Sequence, residues 1–556
     1  MFEKEFGLSE KGFSKVRVQQ WVQMILLVGF CVFVYFFNLG RWDLWNPDEP
    51  RYAQVAKEMV ARGDWILMHY NGNVYPDKPP LFFWLIGLSS YLWQGFNSFS
   101  VKFIPALFGT LTVLITFFIG KTLFSSRAGF LSGLVLATSY EFAYLSTRAN
   151  IDTTLTFFTT ASLLCFFLWY RSPSPNPSSF PKNLSIYGFY IGMAFATLTK
   201  GPVGFILPLL VTLLFLLVQK DWRGIKTMRL LPGMIVFFAI VLAWYLPAVL
   251  RGGEDYLNAT LMHHSIERFE KGVAHVRPIY YYFYQFPINF LPWTIFLPAT
   301  LCYVFSKKMM IGRKESLFLM IWFVVIFLFF TLSRGKRALY LLPLYPAVSL
   351  VVGELWNVLV SGLKEPSWKR WISYSLYGFV AFDLIGGLAI PFVVSRKFPG
   401  YLSSSLPILF IIVGGGIALL FLYRSRYYMA VFLIIVGITG GCYFYLLRVI
   451  FPTMNQYKSA RFISLEITAR IQPGESVGIY GGLESGPYNY YTGIVPILVL
   501  EKEKDFISFM KSDKRVFCFL KVKAIPNYRQ LMGESHLQEI AYRGVGDDTI
   551  VLLSNR

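Results

Sequence analysis

Fourteen long apolar runs, separated by short polar segments, constrain the fold of this chain more than any other feature. A helix needs about 20 apolar residues to cross the hydrocarbon core of a bilayer. The runs are 21–38, 79–95, 101–121, 127–147, 152–170, 185–199, 203–218, 230–250, 289–306, 316–332, 338–358, 371–394, 405–423 and 427–447. Hydrophobic residues make up 55% of the chain and charged residues only 15%, which excludes a soluble domain, a disordered chain and a secreted disulfide scaffold. The sequence predicts a polytopic α-helical membrane protein.

Positive charge in the short loops predicts the orientation of the helices. Basic residues follow the runs that end at 121, 218, 306 and 358, so the positive-inside rule places those loops in the cytoplasm. The net charge of +21 therefore reflects topology and not nucleic-acid binding. Inner and outer loops alternate along the chain only if 79–95 lies in the plane of the membrane or re-enters on the outer face. Thirteen spans remain, with a cytoplasmic N-terminus and an external C-terminal tail.

The chain changes character after residue 454. A helix-like stretch over 458–471 is followed by short β-rich runs separated by polar windows. These runs are 476–480, 496–500, 515–522 and 549–553. We predict a transmembrane domain over 1–454 and a small external α/β domain over 455–556.

Two long polar segments fall on the predicted outer side, within 39–100 and 251–288. Four of the five histidines lie in them. Long loops on one side of a helical bundle commonly carry function. We therefore expect these two segments to form an active site at the outer membrane surface.

The first outer segment contains adjacent carboxylates, Asp48 and Glu49, followed by Arg51. Two interpretations are open. Acidic residues at a helix start offset the helix dipole and cap free N–H groups. Alternatively, Asp48 is a general base that Glu49 or Arg51 holds in position.

Other charged residues also have two interpretations. Lys78 either extends to lipid headgroups or binds a lipid phosphate. Arg148 and Asp152 are either an i,i+4 pair on one helix or part of a site at the outer end of a span. Glycine and proline explain the turn at Lys200 without any chemistry. Positive charge is disfavoured in short translocated loops, however, so Lys200 is also a candidate site residue.

Further cations fall on the same side. Arg268 belongs either to an interfacial aromatic belt or to a phosphate site, where its planar fork suits the geometry. Lys336 and Arg337 lie in an outer loop where topology predicts few cations. Carboxylates among cations at a lipid surface provide what transfer of a group from a lipid phosphate requires, namely a base and charges that stabilise the leaving phosphate.

Taken together, these motifs resemble the bacterial aminoarabinose transferases and the wider protein O-mannosyltransferase-like group of C-type glycosyltransferases. The resemblance covers the whole chain. The residues that carry it are Asp48-Glu49-x-Arg51-Tyr52-Ala53, Asp77-Lys78-Pro79, Asp152, Leu198-Thr199-Lys200-Gly201, Leu291-Pro292-Trp293 and Lys336-x-x-x-Tyr340-x-x-Pro343.

The resemblance implies a C-type glycosyltransferase fold with about 13 transmembrane helices and a periplasmic C-terminal domain, in a bacterial inner membrane. It implies an inverting enzyme that takes a sugar from a polyprenyl phosphate. Asp48 would be the base or would position the acceptor, and Asp152 would bind the sugar, whereas Lys78, Arg268 and Tyr340 would hold the phosphate. The complete predicted site is Asp48, Glu49 and Asp152 for catalysis, with Arg51, Lys78, Lys200, Arg268, Lys336, Arg337 and Tyr340 for the lipid phosphate.

No cofactor is required by these motifs. The resemblance implies, in addition, a structural zinc near Asp77 and one of the loop histidines, His263 or His264.

The function predicted is transfer of a sugar to a periplasmic acceptor, which is lipid A, another glycolipid or a protein hydroxyl. A protein O-mannosyltransferase-like enzyme is one alternative. A flippase for a lipid-linked glycan is another, although such transporters place ionisable residues near the bilayer midplane and often contain internal repeats. A structural or adaptor membrane protein is the last alternative, and it would tolerate neutral substitutes for the outer cations.

Overall fold

The computed structural model of the chain describes residues 10–171, 180–260, 276–305, 314–362, 367–397, 399–524 and 537–556. Up to Lys458 these residues are almost entirely helical. The helices are Glu10–Cys31, Asp48–Arg62, Leu81–Leu92, Ser98–Leu123, Ser126–Thr138, Tyr140–Ser146, Asp152–Arg171, Phe180–Lys200, Val203–Val218, Trp222–Thr227, Leu230–Asn258, Tyr281–Asn289, Leu297–Val304, Lys314–Leu332, Tyr345–Val360, Ser367–Lys397, Leu402–Arg424, Tyr428–Tyr445 and Phe451–Lys458.

Each of the fourteen predicted runs coincides with a helix or a broken helix. Among the described residues, nine helical segments are long and apolar enough to cross a membrane, and Tyr281–Asn289 with Trp293–Val304, bent by 108°, would make ten. The protein is therefore polytopic. Thirteen spans remain a prediction, because one run is divided at Ser139 and Val203–Val218 has only 16 residues.

The run 79–95 forms the helix Leu81–Leu92. Its 12 residues extend about 18 Å at 1.5 Å per residue, which is much less than the roughly 30 Å hydrocarbon core. The helix packs on Asp48–Arg62, and an added Cβ at Gly87 would lie 2.8 Å from Cε of Met59. This close approach fixes the position of the helix that carries Asp48.

The C-terminal part consists of the helix Arg461–Thr468, β3 Ser476–Tyr480, the helix Gly486–Thr492, β4 Leu498–Leu500, the helix Glu503–Met510, β5 Val516–Lys521, β6 Gln538–Val545 and β7 Asp548–Ser554. These five strands form one sheet of order β4-β3-β5-β7-β6. The pairs β3–β4 and β3–β5 are parallel, whereas β7 pairs antiparallel with β5 and β6. A two-stranded hairpin, β1 His69–Tyr70 with β2 Asn73–Val74, lies in the first outer segment.

Four strands coincide with the predicted β-rich runs, and β6 was not predicted. β6 is an edge strand whose side chains are mostly exposed, so it lacks the apolar alternation that reveals a buried strand.

The predicted boundary between residues 454 and 455 lies inside the helix Phe451–Lys458. This helix continues from the membrane-embedded helix Tyr428–Tyr445 through the π-helical turn Leu446–Ile450.

Candidate active site

The segment before Asp48 is held by a lysine from a membrane-embedded helix. Lys102 is fully buried, and its Nζ donates to the carbonyl oxygens of Trp42 (2.8 Å) and Asp43 (2.9 Å). The same ammonium lies 4.0 Å from the ring centroid of Trp42. A buried lysine is stable only when its charge is satisfied. Lys102 therefore attaches the first outer segment to the bundle and fixes where the next helix begins.

Asp48 opens the helix Asp48–Arg62, where a negative charge offsets the helix dipole. Its Oδ1 lies 2.5 Å from Nη2 of Arg51, one turn along the same helix, and its Oδ2 lies 2.5 Å from Nη2 of Arg337. Burial opposes ionisation of the carboxyl group, but Arg337 and Arg51 outweigh it and hold the pKa of Asp48 below its usual value. Asp48 is thus a carboxylate between two guanidinium groups.

Arg51 also connects the site to the C-terminal sheet. Its Nη1 lies 3.1 Å from Oε1 of Glu484, in the connection between β3 and the helix Gly486–Thr492. Sequence analysis missed Glu484, because no motif surrounds it and it is separated from Arg51 by more than four hundred residues.

Glu49 is engaged by three groups. Its Oε2 lies 2.7 Å from Nη2 of Arg148 and accepts the backbone N–H of Trp45 at 3.0 Å, while its Oε1 accepts the N–H of Ala149 at 2.8 Å. Glu49 is almost completely buried. It therefore joins two outer segments and holds the helix of Asp48 in place.

Arg148 does not pair with Asp152, so the i,i+4 interpretation is wrong for this pair. The helix begins at Asp152, and Arg148 precedes it, so the two side chains do not lie on one helical face. Asp152 instead pairs with Lys200, with 2.5 Å between Oδ1 and Nζ. The ammonium of Lys200 lies 4.4 Å from the ring centroid of Tyr340. The structure thus brings Asp152, Lys200 and Tyr340 together, and their roles in binding sugar and phosphate stay predictions.

Two other predicted cations are directed at backbone carbonyls. Lys336 is buried, and its Nζ donates to the carbonyls of Ser333 and, at 3.4 Å, Arg277. Nζ of Lys78 donates to the carbonyl of Asp77 at 3.1 Å. Arg268, His263 and His264 lie outside the described residues.

Within the described ranges, no group of three or more His, Cys, Asp and Glu side chains is arranged to hold a metal ion. Asp77 lies in those ranges, but His263 and His264 do not. The predicted zinc site therefore remains a prediction.

Asn71 attaches the C-terminal sheet to the hairpin of the first outer segment. Its Nδ2 donates to the carbonyl of Ile497 at 2.8 Å, and its Oδ1 accepts the N–H of Ile497 at 2.7 Å and Nδ2 of Asn489 at 2.9 Å. Nearby, the N–H of Gly486 donates to the hydroxyl of Tyr70 at 2.7 Å. These bonds fix the connection that carries Glu484 relative to Arg51.

Comparison with known proteins identifies the fold of this chain. A family model described as dolichyl-phosphate-mannose-protein mannosyltransferase matches residues 21–263. The structure of ArnT from Cupriavidus metallidurans bound to undecaprenyl phosphate has a TM-score of 0.80 at 22% identity, over 96% of this chain and 98% of that chain. The Archaeoglobus fulgidus oligosaccharyltransferase AglB, in complex with an inhibitory peptide and a dolichol-phosphate, has a TM-score of 0.57 at 14% identity, over 91% and 70% of the two chains. The fold is that of a polytopic C-type glycosyltransferase.

Sequence relatives define the family. An undecaprenyl phosphate-alpha-4-amino-4-deoxy-L-arabinose arabinosyl transferase of Pseudomonas fluorescens is 31% identical over 381 residues, which are 68% of this chain and 67% of that protein. The chain belongs to the family of these arabinosyl transferases, and it is a glycosyltransferase. The enzyme of the same name from Pseudomonas paraeruginosa is 31% identical over 63% of this chain, and the match spans only 61% of that relative.

Proposed function

We propose that this protein transfers a sugar from undecaprenyl phosphate, or a related polyprenyl phosphate, to a periplasmic acceptor, most simply lipid A. The names of its relatives suggest that the sugar is 4-amino-4-deoxy-L-arabinose. The observation that carries this proposal is the position of Asp48 between Arg51 and Arg337. It combines a carboxylate for the acceptor with fixed guanidinium groups for a phosphate.

In the proposed reaction, the acceptor oxygen attacks the anomeric carbon from the face opposite the phosphate. The bond between that carbon and the phosphate oxygen breaks, and the phosphate leaves with the electron pair. Arg51 and Arg337 stabilise the leaving charge, because guanidinium groups bind phosphate through two parallel hydrogen bonds. Asp48 accepts any proton that the acceptor loses. Inversion at the anomeric carbon follows from this single displacement.

The remaining predicted residues have supporting roles. Asp152, held by Lys200, binds the sugar, and Tyr340 lines the phosphate side beside Lys200. We assign Lys78 and Arg268 to the lipid phosphate and its approach path. Lys336 supports the loop that presents Arg337, because its Nζ donates to two backbone carbonyls. Glu49 positions Asp48, because its carboxylate accepts two backbone N–H groups.

The low pKa of Asp48 favours one kind of acceptor. A carboxylate stabilised by two arginines is a weak base, and it is poorly matched to the hydroxyl of a serine or threonine. A phosphate of lipid A is already anionic at neutral pH, and its remaining proton is acidic enough for a weak base such as Asp48 to accept. We therefore favour a phosphate-bearing glycolipid over a protein as the acceptor.

We further propose thirteen spans in the bacterial inner membrane, with the N-terminus in the cytoplasm and the C-terminal sheet in the periplasm. The basic loops support this orientation. The helix Gly486–Thr492 of the C-terminal part also packs on the helix Asp48–Arg62, which belongs to the predicted outer surface.

The test is transfer by the purified full-length protein in proteoliposomes that contain undecaprenyl-phosphate-aminoarabinose and lipid A, with products identified by mass spectrometry. The wild type should form sugar-modified lipid A, and Asp48→Asn should reduce turnover about 100-fold or more. Asp513→Asn, on the exposed surface of the C-terminal part, is the matched control. Full turnover by Asp48→Asn would remove the assigned role. If lipid A is unchanged but the donor is consumed with another acceptor, lipid A is the wrong acceptor.

A further inference from the structure

Glu141 is a buried carboxylate that the proposed reaction does not use. It lies in the first turn of the short helix Tyr140–Ser146, and only 8% of its surface is exposed. In the part of the chain that the structure describes, no group donates a hydrogen bond to it and no cation forms an ion pair with it. An ionised carboxylate in such a place is costly unless a partner compensates its charge.

The surroundings of Glu141 place it at the site. Its helix packs against the 3-10 helix Ala338–Leu344, which follows Arg337, and against the helix that begins at Asp152. The helix of Glu141 therefore adjoins both carboxylate centres, Asp48 with Arg337 and Asp152 with Lys200.

Four other carboxylates of this region have cationic partners. Asp48 pairs with Arg51 and Arg337, and the remaining pairs are Glu49 with Arg148, Asp152 with Lys200 and Glu484 with Arg51. None of these acids needs an additional cation for charge balance. Among the described residues of this region, Glu141 is an acid that forms no ion pair with a cation.

We propose that Glu141 binds the protonated amino group of the donor sugar and so determines specificity for an amino sugar. This inference rests on the proposed function. An ammonium supplies both a positive charge and N–H donors, which compensate a buried carboxylate in a way that a neutral hydroxyl cannot. Discrimination is strong when the wrong ligand leaves a buried polar group without its partner.

An acid in the first turn of a helix also offsets the helix dipole. That role predicts the same effect of a Glu141 substitution on every donor. Recognition of the amine predicts an effect that depends on whether the donor carries an amino group. A comparison of two donors separates these explanations.

The experiment uses the full-length protein in detergent micelles and two undecaprenyl phosphate sugars that differ in one group, 4-amino-4-deoxy-L-arabinose and L-arabinose. The dissociation constant of each lipid is measured for the wild type, Glu141→Gln, Glu141→Asp and the exposed control Glu501→Gln. Turnover of the amino donor with lipid A is measured in parallel. We expect Glu141→Gln to weaken binding of the amino donor at least tenfold relative to binding of the hydroxyl donor, which corresponds to about 1.4 kcal/mol. Glu141→Asp keeps the charge and should lose less of the preference for the amino donor. If Glu141→Gln does not fold, the donor preference of Glu141→Asp tests the proposal instead.

The outcomes are distinguishable. Equal weakening of both donors, or no change in either, would overturn the role of Glu141. A wild type that turns over the amino donor but binds both lipids equally would overturn recognition of the amine and leave the transferase standing. A wild type that neither binds nor turns over either donor would overturn the proposed function itself.

Discussion

Arg51 and Glu484 form an ion pair of 3.1 Å that joins the helix of Asp48 to the C-terminal sheet. The second amino group of the same guanidinium holds Asp48 at 2.5 Å. The orientation of Arg51 therefore depends on two elements at opposite ends of the chain. The C-terminal sheet is consequently part of the candidate active site and not only an appended domain.

Glu484→Gln should reduce transfer more than it reduces stability. The Glu484 side chain is 41% exposed, and exposed ion pairs contribute only about 0–1 kcal/mol to folding. Loss of the pair releases Arg51, so we expect kcat to fall roughly tenfold, the equivalent of about 1.4 kcal/mol in the barrier. Turnover and the thermal unfolding midpoint should be compared in one preparation. A large fall in the midpoint would indicate a structural role instead.

Arg337→Gln should shift the acidic limb of the pH–rate profile upward. Asp48 is active as a carboxylate, so activity is lost as pH falls through its pKa. Arg337 is the strongest of the charges that lower this pKa, and its removal raises the pKa and therefore the pH at which activity is lost. The measurement is kcat/KM against pH for both proteins. An unshifted limb, with only a lower plateau, would contradict the assignment of that limb to Asp48.

Lys102→Met should destabilise the protein by about 2 kcal/mol, because the carbonyls of Trp42 and Asp43 lose their buried donor. Lys121→Met, near the other end of the same helix, is the matched control. Lys121 donates to the side chain of Gln20 and is only partly buried, so its loss should cost less. Thermal unfolding of the two variants in detergent measures the difference. Equal midpoints would show that Lys102 does not anchor the first outer segment.

Asn71→Ala should loosen the C-terminal sheet from the first outer segment, since it removes three hydrogen bonds to Ile497 and Asn489. We expect faster cleavage of the full-length protein by added protease between the membrane part and the sheet, together with reduced transfer. Asn73→Ala, on the exposed strand of the same hairpin, is the control. Similar cleavage of the two variants would contradict this role for Asn71.

Much of the architecture could be predicted because its signals are local. An apolar run is a property of consecutive residues, so each predicted run coincides with helical structure. Strands β3 and β5 were predicted for the same reason, as their side chains are largely buried. The pairing of Asp48 with Arg51 is also local, since the two residues are three apart on one helix.

The sequence by itself determined that the chain is a membrane protein and where its helices lie, and it predicts that the charged site residues share the outer side. Only the tertiary structure decided the partners of these charges. It paired Asp48 with Arg337, Glu49 with Arg148 and Asp152 with Lys200, and among the described residues it gave Glu141 no ion pair. The physical reason is that an ion pair depends on distance in space, which the packing of helices sets between residues far apart in the chain. No spacing rule along the sequence carries that information.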